Sequence, residues 1–312
     1  MRISHLIPVF IIIASLFACT NVMEKPVATF NVATYNIRQL NESDSLAGNG
    51  WTVRYPVIAR LVRFHGFDIF GTQEGFKRQL EELKDSLPGY DYIGCGREDG
   101  KDSGEHSAIF YRTDLFEVID NGDFWLSETP DTPSIGWDAV LPRICSWGHF
   151  RHKDSGREFL FFNLHMDHIG KQARIESALL VQEKMKEFGE DLPTFLTGDF
   201  NVDQTHQSYS ALTSTGHLAD SYEKCGLRYA PNGTFNSYHT EDYTDSRIDH
   251  IFVSPDVQVD KYGVLTDTYR TQIEECNDSI SKANDAPTEI TLRPYTARVP
   301  SDHFPVMVQV SI

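Results

Sequence analysis

The stretch "FLTGDFNVD", residues 195–203, decides how this chain is read. An apolar run reaches Gly198 and then delivers Asp199 and Asn201 on either side of Phe200. In a strand, residues i and i+2 share a face, so the carboxylate and the amide aim at one target while Phe200 turns back toward the core. A single such ending has an ordinary explanation, because Asp and Asn favour strand ends where they bond to local backbone. The same ending recurs in five other segments.

Those segments surround the first in a strand-rich pattern. "ATFNVATYNI" (28–37) alternates and ends at Asn36, and "DIFGTQE" (68–74) ends at Gln73 and Glu74. "REFLFFNLHMD" (157–167) delivers Asn163, His165 and Asp167, and "LPTFLTGDFN" (192–201) is the opening segment itself. "RIDHIFVS" (247–254) begins near Asp249, and Ser301, Asp302 and His303 stand just before "FPVMVQVSI" (304–312). "HSAIFYR" (106–112) is a further strand. Helices are expected over 52–66, 76–87 and 171–189; in the second, Phe76, Leu80, Leu83 and Leu87 fall on one stripe. Strands outnumber helices and come partly in hairpin-like succession, which predicts two sheets packed together with helices outside. Residues 266–299 are polar and acidic with few periodic apolar positions, the pattern of a functional loop or a disordered insertion.

No repeat or linker divides the chain, so residues 28–312 read as one domain. The 312 residues carry a formal charge of −17, which argues against coating nucleic acid by charge alone. Oxygen donors without any Cys-x-x-Cys pair suit Mg²⁺, Mn²⁺ or Ca²⁺ better than structural zinc. The adjacent histidines are suited to proton transfer near neutral pH. Asp199, Asn201 and Asp203 have the first three ligand spacings of an EF-hand. Gln204 and Ser210 stand where its glycine and glutamate belong, and that reading fails. "GREDGK" (96–101) is too short for a P-loop, and neither Gly-x-Ser-x-Gly nor His-Glu-x-x-His occurs.

"TYNIR", "GTQE", "NLHMDH", "TGDFN", "RIDHIF" and "SDHFPV", in this order, resemble the endonuclease/exonuclease/phosphatase superfamily. That superfamily includes deoxyribonuclease I-like enzymes, abasic-site endonucleases, sphingomyelinases and inositol phosphatases, and the chain resembles most its deadenylase/nocturnin-like group. The resemblance implies a four-layer α/β sandwich of two mainly antiparallel sheets, and an Mg²⁺- or Mn²⁺-dependent phosphoester hydrolase. It places Asn36, Glu74 and Asp302 at metal-binding positions. Asp199 takes the position of the residue that activates water, Asn201 a metal or phosphate contact, and His303 the histidine at the scissile phosphate, with Asp249 holding it. His165 takes the position of a second catalytic histidine, with Glu105 of "GEHSAIFYR" as its supporting carboxylate. Within this chemistry the substrate classes are a nuclease substrate, a sphingomyelin-type phospholipid and a small phosphoester. The rival from another class is a non-catalytic lipoprotein that binds phosphorylated glycans or a partner protein. No stable nucleic-acid partner is expected.

"FWLSETPDTPSIGWDAVLPRICSWGHF" (124–150) reads as a loop between strands. Trp125 and Trp147 are assigned to packing, and Arg143 to clamping a substrate phosphate at the rim. At the start of the chain, "LFAC" (16–19) follows Arg2 and an apolar run and resembles a bacterial lipobox. The expectation is a signal peptide over 1–18, lipid on Cys19, a short tether over 19–27 and display at the outer membrane. Of the other cysteines, Cys95, Cys145, Cys225 and Cys276, the sequence leaves both disulfides and free thiols open.

Overall fold

The computed structural model describes residues 26–189, 191–229, 232–273, 287, 290 and 292–312. The lipobox and Cys276 lie outside them; Cys95, Cys145 and Cys225 are free thiols. No helix among the described residues is long and apolar enough to cross a membrane.

Two sheets pack face to face. The first contains β1 (Thr29–Asn36), β2 (Ile69–Gln73), β3 (Tyr90–Ile93), β4 (Ile109–Arg112), β10 (Arg228–Tyr229), β12 (Gln258–Val264) and β15 (Val306–Ser311). Its order is β10-β12-β15-β1-β2-β4-β3, with β1 beside β2 and β10 beside β12 parallel and the rest antiparallel. The second contains β5 (Phe116–Trp125), β6 (Ile144–His152), β7 (Glu158–His165), β8 (Thr194–Asp199), β9 (Ala219–Asp220) and β11 (Asp249–Val253). Its order is β5-β6-β7-β8-β11-β9, and only β7 and β8 run parallel.

Three apolar clusters make four layers. Phe30, Phe159, Phe161, Phe195, Ile251 and Val308 fill the space between the sheets. Beyond the first sheet, α2 (Trp51–His65) and α3 (Lys77–Asp85) bury Trp51, Ile58, Val62, Leu80 and Leu83 against Tyr35, Phe70 and Phe110. Beyond the second, α4 (Lys171–Gly189) and α5 (Gln207–Thr213) bury Ala178, Val181 and Leu212 with Phe162, Leu196 and Phe252. Short α1 (Glu42–Leu46) and α6 (Ser221–Lys224) are the remaining helices among the described residues. The four-layer sandwich expected from sequence is the observed architecture, and α4 has the expected bounds.

The expected loop over 124–150 needs correction at both ends. Phe124 and Trp125 finish β5, and residues 144–150 belong to β6. The strand signal of β5 is hidden because five of its ten residues are polar or glycine and it forms the edge of its sheet. Trp125 is buried and donates Nε1–H to the Arg97 carbonyl at 2.7 Å, while Trp147 stacks on Phe188 at 4.1 Å. Asp138 of the same segment caps α4, accepting from the Ala173 N–H at 2.7 Å. In the polar stretch 266–299, β13 (Tyr269–Gln272) pairs antiparallel with β14 (Tyr295–Arg298). The reading of its middle as a loop or insertion falls largely outside the described residues.

The two sheets are also joined by a polar contact. Asn163 on β7 is fully buried; its Nδ2 donates to the carbonyls of Thr72 (2.9 Å) and Ala108 (3.0 Å) in the first sheet. Its Oδ1 accepts from Gln73 Nε2 at 2.7 Å and Thr197 Oγ1 at 3.0 Å. Every polar atom of this side chain is therefore satisfied. A Cβ on Gly71 would lie 2.1 Å from Asn163 Oδ1, so the close approach requires glycine there. Asn163 and Gln73 are thus structural, and they register the strand ends that carry the site.

Candidate active site

The polar strand ends meet at one edge of the sandwich. β1 and β2 run parallel and finish together at Asn36 and Gln73, with Glu74 next. β7 and β8 are likewise parallel, placing His165 opposite Asp199, and antiparallel β11 starts with Asp249 opposite Asp199. Gly198 lets β8 approach β7, since a Cβ there would sit 2.4 Å from the Leu164 carbonyl oxygen. The connection before β15 adds Ser301, Asp302 and His303.

Asp199 is the hub. Its Oδ1 accepts from the Asn201 N–H at 2.9 Å and its Oδ2 from Asn36 Nδ2 at 3.0 Å. His165 Nε2 and His303 Nε2 lie 3.6 and 3.7 Å from Oδ2. Burial alone would raise this carboxyl, but the two imidazoles and the Asn201 N–H outweigh it and hold Asp199 below its ordinary value. His303 Nδ1 is 2.9 Å from Asp249 Oδ2, with both side chains buried. Burial opposes the imidazolium, but Asp249 and Asp199 prevail, so His303 is held well above the usual histidine range. Asp249 is shifted up, first by burial and then by the neighbouring Asp199 charge.

Asn201 Nδ2 donates to the Met166 carbonyl at 2.9 Å and to His165 Nε2 at 3.1 Å. Because an amide nitrogen only donates, Nε2 accepts this bond in the neutral His165 ring, whose proton is then on Nδ1. That Nδ1 faces Glu105 Oε2 at 3.6 Å, longer than a hydrogen bond. The pairing of Glu105 with His165 is looser than expected because Arg97 grips both Glu105 oxygens, at 2.6 and 3.0 Å. Burial would raise Glu105, but His165 and Arg97 bring it down to about 2.

Asn36 is placed differently from an exposed ligand. Its Nδ2 donates to Glu74 Oε1 and Asp199 Oδ2, both at 3.0 Å, while its Oδ1 accepts the Arg38 N–H at 3.0 Å. It braces two carboxylates against each other. Asp302 is buried and raised above its ordinary value by burial and by the Glu74 charge. Arg38 Nη1 stands 3.4 Å from Asp302 Oδ2 and 3.9 Å from Glu74 Oε2. Arg143 is buried, with Nε 3.3 Å from Asp167 Oδ2 and Nη2 donating to His168 Nδ1 at 2.9 Å.

Several contributors carried no strong sequence signal. Arg38 closes the "TYNIR" segment, which assigned it no role. Arg54, fully buried on α2, donates to the carbonyls of Ile37 (2.8 Å), Pro300 (3.0 Å) and Arg38 (3.2 Å), joining two strand ends of the site. Arg38, Glu74 and Asn201 have φ of 57°, 66° and 51°, left-handed conformations that cost non-glycine residues energy. Such strain persists because contacts such as these over-determine the backbone.

The resulting cleft, about 420 Å³, is lined by Arg38, Glu74, Glu105, Arg143, His165, His168, Asp199, Asn201, Phe235, Asp302 and His303 among others. Glu74, His165 and Asp199 offer ligand atoms within 4.8 Å of one another. The Glu74 and Asp302 carboxylates, which share Arg38 Nη1 at 3.9 and 3.4 Å, are a hard-donor set that fits Mg²⁺ or Mn²⁺.

A buried histidine–aspartate pair, a carboxylate hub and a hard-oxygen set at one edge of a four-layer sandwich define a phosphoester-processing class of fold and site. The chain belongs to the Endonuclease/Exonuclease/phosphatase family, which residues 28–303 match. A mannosyl-6-phosphatase of Bacteroides thetaiotaomicron VPI-5482 is 65% identical, with 90% of this chain and 99% of that one covered and a TM-score of 0.83. An endonuclease/exonuclease/phosphatase family protein from Bacteroides thetaiotaomicron is 64% identical over 92% of this chain and 99% of its own, with a TM-score of 0.85. The human nocturnin catalytic domain shares the fold at 16% identity and a TM-score of 0.62, covering 90% of this chain and 93% of its own. An uncharacterized protein, L388, of Acanthamoeba polyphaga mimivirus is 34% identical over 163 residues, 49% of this chain; the match spans 60% of that relative's length.

Proposed function

We propose that this protein is a metal-dependent phosphomonoesterase whose substrate is a hexose 6-phosphate. The observation that carries the substrate class is the 65% identity, over 90% of the chain, to a mannosyl-6-phosphatase. The cleft supports it: about 420 Å³ holds one phosphorylated ring, and the site's carboxylates disfavour a polyanionic duplex. The nuclease and sphingomyelinase readings draw no such support.

Glu74 and Asp302 would hold Mg²⁺ or Mn²⁺, which stabilises charge on the phosphoryl oxygens when bound. Asp199 is the base that takes the proton of the attacking water. His303, kept protonated by Asp249, donates to the phosphoryl group as negative charge builds. Asn201 and Glu105 orient His165, which faces the same cleft, and Arg143 contributes a guanidinium to the phosphate oxygens. In-line attack forms the new O–P bond as the P–O bond to the sugar breaks; the sugar oxygen leaves with the bonding pair and takes a proton from solvent water. The non-catalytic lipoprotein reading requires erosion of this set, whereas every member is present.

Export with lipid on Cys19, and display at the outer membrane, is part of the same proposal and rests on the "LFAC" motif. Radiolabelled palmitate incorporation lost in Cys19→Ala tests the anchor. Release of inorganic phosphate from mannose 6-phosphate with Mg²⁺ or Mn²⁺, compared with bis-p-nitrophenyl phosphate, DNA, RNA and sphingomyelin, tests the substrate class. Turnover of a diester at rates above the sugar phosphate overturns it.

A further inference from the structure

Next to the catalytic cleft lies a second concavity of about 300 Å³ that shares Phe235 and Ser237 with it as common walls. Its other walls include Asp242, Tyr243, Thr244 and Ser246. The Phe235 ring packs edge-on against His303 at 5.0 Å, yet 43% of the residue is exposed, and Tyr243 is 70% exposed. The core does not require aromatics held in this way.

The backbone around them is built at a cost. Ser237 and Tyr238 have φ of 51° and 64°. Asn236 N–H and Ser237 N–H both donate to the Asp302 carbonyl, at 2.8 and 3.1 Å, and Phe235 bridges to His303. The loop is therefore fastened to the same residues that form the site, and it sets Phe235 between the two spaces. The chemistry of the second space is specific. Its lining has hydroxyls on Ser237, Tyr243, Thr244 and Ser246 and one carboxylate on Asp242, but neither lysine nor arginine. A second phosphate or a nucleic-acid backbone finds no cation there. Asp242 Oδ2 is held by His239 Nδ1 at 2.8 Å and Ser246 Oγ donates to Asp203 Oδ2 at 3.0 Å, which fixes both side chains and leaves Asp242 Oδ1, the Ser246 Oγ lone pairs and the Thr244 hydroxyl proton for a ligand. A neutral sugar ring fits, with its C–H face on an aromatic ring and its hydroxyls toward these atoms.

We propose that this concavity is a second sugar subsite, and that the physiological substrate is an oligosaccharide bearing the phosphate on C6 of a terminal hexose. The inference rests on the hexose 6-phosphatase reading and adds the neighbouring sugar to it. The phosphorylated ring lies in the cleft beside Phe235, and the next ring occupies the space walled by Tyr243 and Asp242.

The test measures kcat/KM of the full-length protein for mannose 6-phosphate, mannobiose phosphorylated on C6 of its non-reducing sugar, adenosine 5′-monophosphate and p-nitrophenyl phosphate. Wild type is compared with Tyr243→Ala and, as a milder change, Asp242→Asn, each first shown to melt like wild type. The expected result is a preference of about tenfold for the disaccharide phosphate, expressed in KM, that falls toward unity in Tyr243→Ala and partly in Asp242→Asn. Equal kcat/KM for the two sugar phosphates, or a preference untouched by both variants, overturns the subsite while leaving the sugar phosphatase intact. Hydrolysis of p-nitrophenyl phosphate with neither sugar phosphate turned over overturns both readings. A preference for the nucleotide overturns the sugar subsite in favour of a base-stacking one.

Discussion

His303 Nδ1 lies 2.9 Å from Asp249 Oδ2 in a buried pair, while His303 Nε2 faces Asp199 at 3.7 Å. This geometry fixes which ring nitrogen reaches the cleft and keeps the imidazole charged. Asp249→Asn preserves shape but removes the charge and allows the other tautomer. A fall in kcat of about 10²–10⁴-fold with KM little changed is expected, from steady-state kinetics on mannose 6-phosphate. A change confined to KM would show that Asp249 acts on binding instead.

Removing divalent metal is expected to lower activity about 100-fold or more, the several kcal/mol of charge stabilisation that a bound cation supplies. Mg²⁺ or Mn²⁺ added after EDTA should restore it. Metal should also raise Tm, because it relieves repulsion between Glu74 and Asp302 and binds the folded state alone. Full activity after exhaustive chelation would remove the metal from the account.

Glu105 makes acid stability testable. Its folded-state value of about 2 lies below the ordinary 4.5, so its stabilising contribution is complete above about 4.5 and lost as pH falls toward 2. Burial lowers Arg97 in the same pair and takes back part of the gain, leaving about 1–3 kcal/mol. Urea melts of wild type and Glu105→Gln should differ at pH 6 and converge near pH 2. A constant difference across that window would assign the stability to packing.

Gly71→Ala forces a methyl group onto the Asn163 amide and disrupts the contact between the sheets. Loss of about 3 kcal/mol or more is expected in chemical denaturation, and an altered position of Glu74 should reduce activity alongside. Unchanged stability would mean that the sheets can separate locally without penalty.

Much of this site was legible because its chemistry is concentrated in short strand-end segments. Asp199, Asn201, Asp249 and His303 each stand beside apolar β-formers, and β1, β2, β7, β8, β11 and β15 were placed from that pattern. β5 was hidden by its polar edge residues, and the two-residue strands β9 and β10 are too short to show a period. Arg54 and Arg38 were invisible for another reason. Arg54 bonds main-chain carbonyls 5 to 246 positions away, and Arg38 pairs with the carboxylates of Asp44, Glu74 and Asp302, partners that only the fold brings together. The bracing role of Asn36 likewise depends on Glu74 and Asp199, which only the fold brings to it.

The central claim is that Asp199 activates water for attack on a sugar phosphate. Phosphate release from mannose 6-phosphate by Asp199→Ala, at saturating Mg²⁺ and with the variant's fold verified by its melting curve, tests it most directly. The account predicts a loss of kcat of about 10³-fold or more. Activity within tenfold of wild type would contradict it.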